Sequence, residues 1–459
     1  MHYQREHRGA ATRVLRGSVA VRSARPALPA AGVLAALDLG DFDADAWARL
    51  YTTPPPAPGA TAAAPAPAAS ALSLEDSRIY WPTQWRLQAA RLTHDGRSWH
   101  DLNLSGSLER DTWRAAVVAR ELAGQISFRA GGPQAAGLVH ARLSRLDWPR
   151  AGLEQPAEQA LQQPEAMPAI DLVIERLRLD GRELGRLEVQ AANRLATQGP
   201  QAGVSEWRLN ALTLSTPEAT LKASGNWVAH GRDAAARRTA LRLELDIRDA
   251  GALLTRMGQP QTVRGGQGRI EGHLGWLGSP MSFDTPSLSG ELQLDIGRGQ
   301  FLRAEPGVAQ LIGVLSLQAL PRRLMLDFRD VFSEGFAFDF IRGNVAIAQG
   351  VARSNNLQMK GINAAVLMEG SADTVRETQD LRVVVVPELN ADTVSLVATL
   401  INPVTGLGTF LAQFLLRQPL QQAATREFHI TGPWADPVVT PVQRQPAARP
   451  DPDSPTGAN

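Results

Sequence analysis

A mainly β fold with antiparallel strands is predicted, and three features of the sequence predict it. Apolar and polar residues alternate with a period of two through most of the chain between Ile79 and Val439, the pattern of strands with one wetted and one dry face. Gly, Asn and Asp punctuate these runs, at Asp180-Gly181, Gly225-Asn226, Gly343-Asn344 and Gly370, as turn formers do. Long amphipathic helices, which a parallel βαβ architecture needs between its strands, are few.

The individual strands follow from the alternation. Leu241-Arg242-Leu243-Glu244-Leu245-Asp246-Ile247-Arg248 is apolar on one face and charged on the other. Leu292-Gln293-Leu294-Asp295-Ile296 and Phe336-Ala337-Phe338-Asp339-Phe340 repeat the pattern, as do Leu102-Asn103-Leu104 and Leu357-Gln358-Met359-Lys360. In Ile170–Leu179 the apolar parity flips after Glu175, which predicts a β-bulge. The dry faces then carry Leu241, Leu243, Leu245, Ile247, Leu292, Leu294, Ile296, Phe336, Phe338 and Phe340. They are expected to line one continuous apolar surface, each fully buried side chain contributing roughly 1.5–3 kcal/mol.

Helices are expected to be short. Asp45–Leu50 suggests one, capped by Asp43 or Asp45, and Asp249–Met257 and Pro306–Leu317 suggest two more. No charged residue occurs from Thr393 to Leu416, a run longer than the roughly 20 residues of a membrane-spanning helix. Pro403 interrupts it, so two helices are expected within 392–416, Asp392–Ile401 and Pro403–Leu416. In the second, Leu407, Phe410, Leu411, Phe414 and Leu415 form one apolar stripe. The stripe fits packing on the sheet and contact with a membrane surface equally.

Four regions are expected. Residues 1–51 read as the remnant of an upstream β region with a short helix, 52–75 as a Pro/Ala-rich linker or loop, 76–441 as the main β region with the helix pair, and 442–459 as a disordered tail. Met1–Gly9 is polar and no apolar segment follows it, so the expectation is a fragment of a longer protein without its N-terminal anchor.

Composition excludes several functions. Forty-seven Lys+Arg balance 46 Asp+Glu, for a formal charge of +1, without the basic excess of a nucleic-acid binder. Cysteine is absent, which removes disulfides, thiol nucleophiles and thiolate metal sites. Hydrophobic residues make up 44% of the chain, enough for a folded core. No HExxH, GxSxG, GxGxxG or phosphate-loop pattern occurs. Asp41-Phe42-Asp43-Ala44-Asp45 opens like a calcium loop but lacks its central Gly and terminal Glu, so helix capping is the better reading. No catalytic residue, metal or cofactor is expected, and the chain is not expected to be an enzyme.

A family resemblance adds to this. Gly299–Leu302, Leu315–Leu324 and Leu326–Asp339, with Gly406–Gln413 and Thr431-Gly432-Pro433-Trp434-Ala435-Asp436-Pro437, resemble the YhdP branch of the AsmA-like proteins of Gram-negative bacteria. Gly181–Leu187 and Ala223–Trp227 resemble it more diffusely, and Val308-Ala309-Gln310 departs from the Gly/Arg-like run expected there. The resemblance implies the C-terminal part of a bridge-like lipid carrier. Its sheet would curl into an elongated apolar groove moving phospholipid between inner and outer membranes and supporting the outer-membrane permeability barrier. It further implies a periplasmic, envelope-associated location, a bacterial membrane surface as partner and possible envelope proteins besides. From the residues alone, a non-transporting envelope scaffold with a closed core satisfies the same alternation.

Overall fold

The computed structural model describes residues 1–8, 11–24, 26–51, 80–132, 137–148, 167–195, 205–229, 237–302, 336–361, 364–387 and 425–442. Among them are 23 strands, which hydrogen bonding assigns to one open, mixed sheet. The expected helices at Pro306–Leu317 and within 392–416 lie outside the described residues, as does the tail beyond 442. No helix among the described residues is long and apolar enough to cross a membrane. The chain divides into two compact units: residues 1–246 with 256–258 and 273–284, and the remainder.

The first unit opens with β1 (His2–Arg8), β2 (Ala11–Val21), β3 (Gly32–Asp38), β4 (Asp41–Asp43) and α1 (Ala44–Tyr51). Then come β5 (Gln84–His94), β6 (Arg97–Glu109), β7 (Thr112–Val118), β8 (Leu122–Arg129) and β9 (Leu138–Trp148). They are followed by β10 (Ala169–Leu179), β11 (Arg182–Leu195), β12 (Ser205–Ser215), β13 (Ala219–Ala229) and β14 (Arg237–Ile247). Most neighbours are antiparallel hairpins. The mainly antiparallel sheet expected is found, and it is mixed: β2–β3, β3–β5, β4–β5 and β9–β10 pair in parallel. Parallel neighbours need a connection long enough to bring the chain back to its starting level. Residues 39–83 supply it between β3 and β5, and residues 149–168 between β9 and β10. The segments flanking the Pro/Ala-rich stretch 52–75 thus belong to one sheet, with Leu34 paired to Gln84.

Local chemistry explains the details. The Asp43 carboxylate accepts the Ala46 N–H at 2.8 Å and caps α1. Asp45 does something else: its oxygens accept the Asp95 and Gly96 N–H groups at 2.7 and 2.8 Å, fastening the β5–β6 turn. The bulge expected in β10 is present, with register shifts between Ile174 and Leu177 and again before Arg178. At the β10–β11 turn Asp180 and Gly181 both have positive φ (52° and 73°), the geometry of a two-residue hairpin turn.

The second unit contains α2 (Ala250–Arg256, its last residue assigned to the first unit), capped by Asp249 accepting the Ala252 N–H at 2.9 Å. Its strands include β17 (Ser289–Phe301), β18 (Phe336–Ala348), β19 (Val351–Gly361), β20 (Ala364–Asp373), β21 (Thr378–Pro387), β22 (Arg426–Pro433) and β23 (Val438–Pro441), each antiparallel to the next. β15 (Val263–Gly265) also belongs here, and β16 (Gly268–Leu277), whose residues 273–277 are assigned to the first unit, completes the count. Ala364–Met368 and Val383–Val386 are buried at every position, so these strands are dry on both faces. Three expected turn signals fall inside strands instead, Gly370 within β20 among them. Gly343 sits mid-β18 because a Cβ there would lie 2.8 Å from the Leu357 Cα, and Gly225 lies within β13.

Candidate functional site

The register of the first unit sorts its side chains into two faces. Directly paired residues of neighbouring strands share a face, so each pairing extends a row across the sheet. One row runs Val21, Leu37, Leu87, Leu104, Val117, Gly124, Leu143, Ile174, Leu187, Leu214, Leu221. The adjacent row on the same face runs Val19, Ala35, Trp85, Gly106, Ala115, Ile126, Ala141, Leu172, Val189, Leu212, Ala223. Neither row contains a polar side chain. A third begins with Leu108, Trp113 and Phe128 and continues through Val139, Ile170, Ala191 and Leu209. At roughly 4.8 Å per strand, the rows trace an apolar track about 48 Å long.

The β-bulges keep this track in phase. In β12 the pairing jumps from Leu209 to Leu212 opposite Gly225 and Ala223; the extra residue restores the apolar set to the same face. Val117, Leu143 and Ile174 are buried, whereas Leu87, Leu104, Leu172, Leu187, Leu212 and Leu214 are half-buried. Trp113 and Phe128 remain 44% and 41% exposed. Trp207 and Trp227 pair across β12 and β13 next to Leu209, and Trp207 Nε1 donates to the Pro168 carbonyl at 3.0 Å.

The opposite face is polar. Its rows include Arg86, Ser105, Ala116, Gln125, Arg142, Val173, Glu188, Thr213 and Lys222. Charges here pair across strands: Asp171 accepts from Arg142 at 2.9 Å and from His140 at 3.1 Å. Elsewhere in the first unit Arg256 grips Glu218 with two nitrogens at 2.7 and 2.8 Å, and this guanidinium pulls the Glu218 carboxyl down to about 2.

The residues singled out from sequence distribute unevenly. Leu241 packs against the buried cluster of Met167, Ala191, Trp207, Leu209 and Trp227, and Leu243 and Leu245 follow at the same parity, half-buried. Ile247 is buried. In the second unit Leu292, Leu294 and Ile296 stand opposite Val345, Gly343 and Ile341 and form an apolar patch with them. Phe340 falls on the other phase, pairing with Gly297 in step with Arg342 opposite Asp295. Phe338 lies beyond a register shift in the β18–β19 ladder and is buried, over Gly299 and against Phe301. The Arg342 guanidinium lies 4.6 Å from the Phe340 ring centre and bonds Asp295 at 2.9 Å. Phe336 pairs with Phe301. The stripe Leu407, Phe410, Leu411, Phe414 and Leu415 lies outside the described residues. Sequence reasoning missed Trp85, Trp113, Ile126, Leu143 and Leu212, whose only signal was alternation diluted by Ala and Gly.

Among the described residues one cluster of ligand-type groups stands out. Asp45, His94 and Asp95 bring ligand-type atoms within 4.8 Å of one another, but Asp45 is committed to the turn amides, which hold its carboxyl below the usual range. What the arrangement provides is an extended apolar surface backed by a charged one.

Comparison with known proteins agrees with this picture. The family described as YhdP protein matches residues 1–439. Over 234 residues, 51% of this chain, the sequence is 32% identical to the intermembrane phospholipid transporter YhdP of Escherichia coli strain K12. The matched stretch spans 18% of that relative's length. No solved structure matches the chain. Because the match to the family runs through nearly the whole sequence, this chain belongs to the YhdP family.

Proposed function

We propose that the apolar track of the first unit carries the acyl chains of phospholipid, as part of a carrier between the inner and outer membranes in the periplasm. The observation behind this reading is the unbroken apolar register from β2 to β13, most of whose large side chains are half-buried instead of sealed. A dry core would enclose them completely; an amphipathic ligand would complete their burial and leave its polar end in water. The relative's phospholipid substrate points the same way. Support of the outer-membrane barrier follows from delivery of lipid, and a membrane surface is the partner that receives it.

Photo-crosslinking tests this. A photoreactive residue at Leu172 should yield phospholipid adducts in cell-envelope preparations, and one at Thr213, on the polar face, should not. A second reading, a scaffold with a closed core, draws on the strands of the second unit that are buried on both faces. Adducts at neither position would favour the scaffold.

A further inference from the structure

The polar face of the first unit holds a cavity of about 550 Å³. Its walls include Arg86 on β5, Arg114 on β7, and His140 and Arg142 on β9, with Ser105, Ser107, Ser127, Gln84 and Gln125 between them. No Asp or Glu lines it, although acidic and basic residues are nearly equal in the chain as a whole. The arginine-bearing strands are two apart, so their Cα atoms are separated by about 10 Å in the sheet direction. Long side chains on that spacing converge over the small serines.

Charge balance in the cavity is incomplete. Arg114 is held by Glu109 at 2.9 Å, and Arg142 and His140 share Asp171, one strand further on. Arg86 has no ion-pair or hydrogen-bond partner among the described residues. A concave wall carrying a free guanidinium, two more at its sides and five neutral hydrogen-bonding side chains matches a multi-oxygen anion.

We propose that this cavity binds a phosphate group, carried either by a phospholipid headgroup or by a soluble phosphate ester, with Arg86 as its principal cationic contact. The cavity lies on the face opposite the apolar track, so the proposal stands or falls independently of the conduit reading.

The full chain is titrated with inorganic phosphate and with sn-glycero-3-phosphoglycerol, followed by ³¹P line broadening. It is also floated with vesicles of phosphatidylcholine and phosphatidylglycerol. Arg86→Glu and the milder Arg86→Gln are compared with Arg208→Glu, an exposed arginine on β12 outside the cavity. Binding of at least one probe should weaken tenfold or more in Arg86→Glu, less in Arg86→Gln, and stay unchanged in Arg208→Glu. Vesicle binding competed away by glycerophosphoglycerol assigns the site to lipid headgroups. Binding of the soluble probes without vesicle binding assigns it to free phosphate esters. No binding of any probe, or equal losses in Arg86→Glu and Arg208→Glu, overturns the proposal.

Discussion

Trp85 and Trp113 stack with ring centres 4.5 Å apart and planes 25° from parallel, although β6 runs between their strands. The contact spans β6 because Gly106, the partner of Trp85, puts no side chain in the way. The apolar track is therefore paved across its small residues by large neighbours, which explains why Ala and Gly are tolerated within it.

Adding a side chain at Gly106 should be costly. A Cβ there would sit 2.6 Å from the Arg114 carbonyl oxygen, a backbone atom that cannot rotate away. Gly106→Ala should lose about 1–3 kcal/mol in urea unfolding. Unchanged stability would show that β6 and β7 separate at little cost.

Adjacent residues on opposite faces give a sharp test of the conduit. Leu172 lies in the apolar row and Val173 in the polar one, and both are half-buried. Leu172→Asp should reduce copurifying phospholipid at least tenfold by mass spectrometry, with circular dichroism unchanged. Val173→Asp should retain it. A ligand-lined surface lets the new carboxylate reach water, whereas a sealed core imposes the full burial cost. Unfolding by Leu172→Asp alone would indicate a closed core.

How far the sequence carried the fold depends on what alternation can encode. It located the strands at Leu241–Ile247 and Leu292–Ile296, and the parity flip in β10 marked its bulge. Period two does not fix phase, however. Phe340 alternates as cleanly as Leu292 and Leu294, yet its pairing with Gly297 sets it on the Arg342 face, while a register shift separates it from buried Phe338. Phase is decided by the neighbouring strand, which local sequence does not contain. The parallel pairings escaped for the same reason, since their partners are distant in sequence. The central track escaped because Gly106, Ala115, Gly124 and Ala141 carry little hydrophobic signal individually and acquire meaning only when rows are assembled.

Acid should weaken the first unit through Glu218. Its side chain is 15% exposed, and Arg256 holds its carboxyl at about 2, below the ordinary 4.5. A depressed carboxyl contributes stability above its unfolded value and loses it as pH falls toward the folded one. The loss should amount to about 3 kcal/mol between pH 4.5 and pH 2. Chemical unfolding across that window should show a smaller decline for Glu218→Gln than for wild type.

Arg382 is a second junction, on β21. It bonds Glu427 on β22 at 2.6 Å and Glu369 on β20 at 3.0 Å, and the Glu427 side chain is only 8% exposed. Arg382→Met should destabilise by about 3–5 kcal/mol, because it removes the countercharge of a buried carboxylate. Adding Glu427→Leu should recover much of this. A double variant as unstable as the single one would show that the guanidinium acts through packing alone.

The stripe within 392–416 yields a membrane test. Phe410→Ser combined with Phe414→Ser should reduce flotation of the folded chain with liposomes. Equal flotation of wild type and variant would assign the stripe to packing.

The four parallel seams bear on the order of assembly. A hairpin such as β10–β11 closes through Asp180 and Gly181, whereas the β3–β5 and β9–β10 pairings join strands separated in sequence by residues 39–83 and 149–168. Large loops cost more entropy to close and slow the search. The sheet should therefore grow as two preassembled meanders, β5–β9 and β10–β13, that zip together at β9–β10, and should close last at the β3–β5 seam, whose connection is the longer. Amides on either side of that seam should be the last to gain protection in pulsed hydrogen exchange, and a nascent chain halted before β10 should already hold β5–β9 in native pairing.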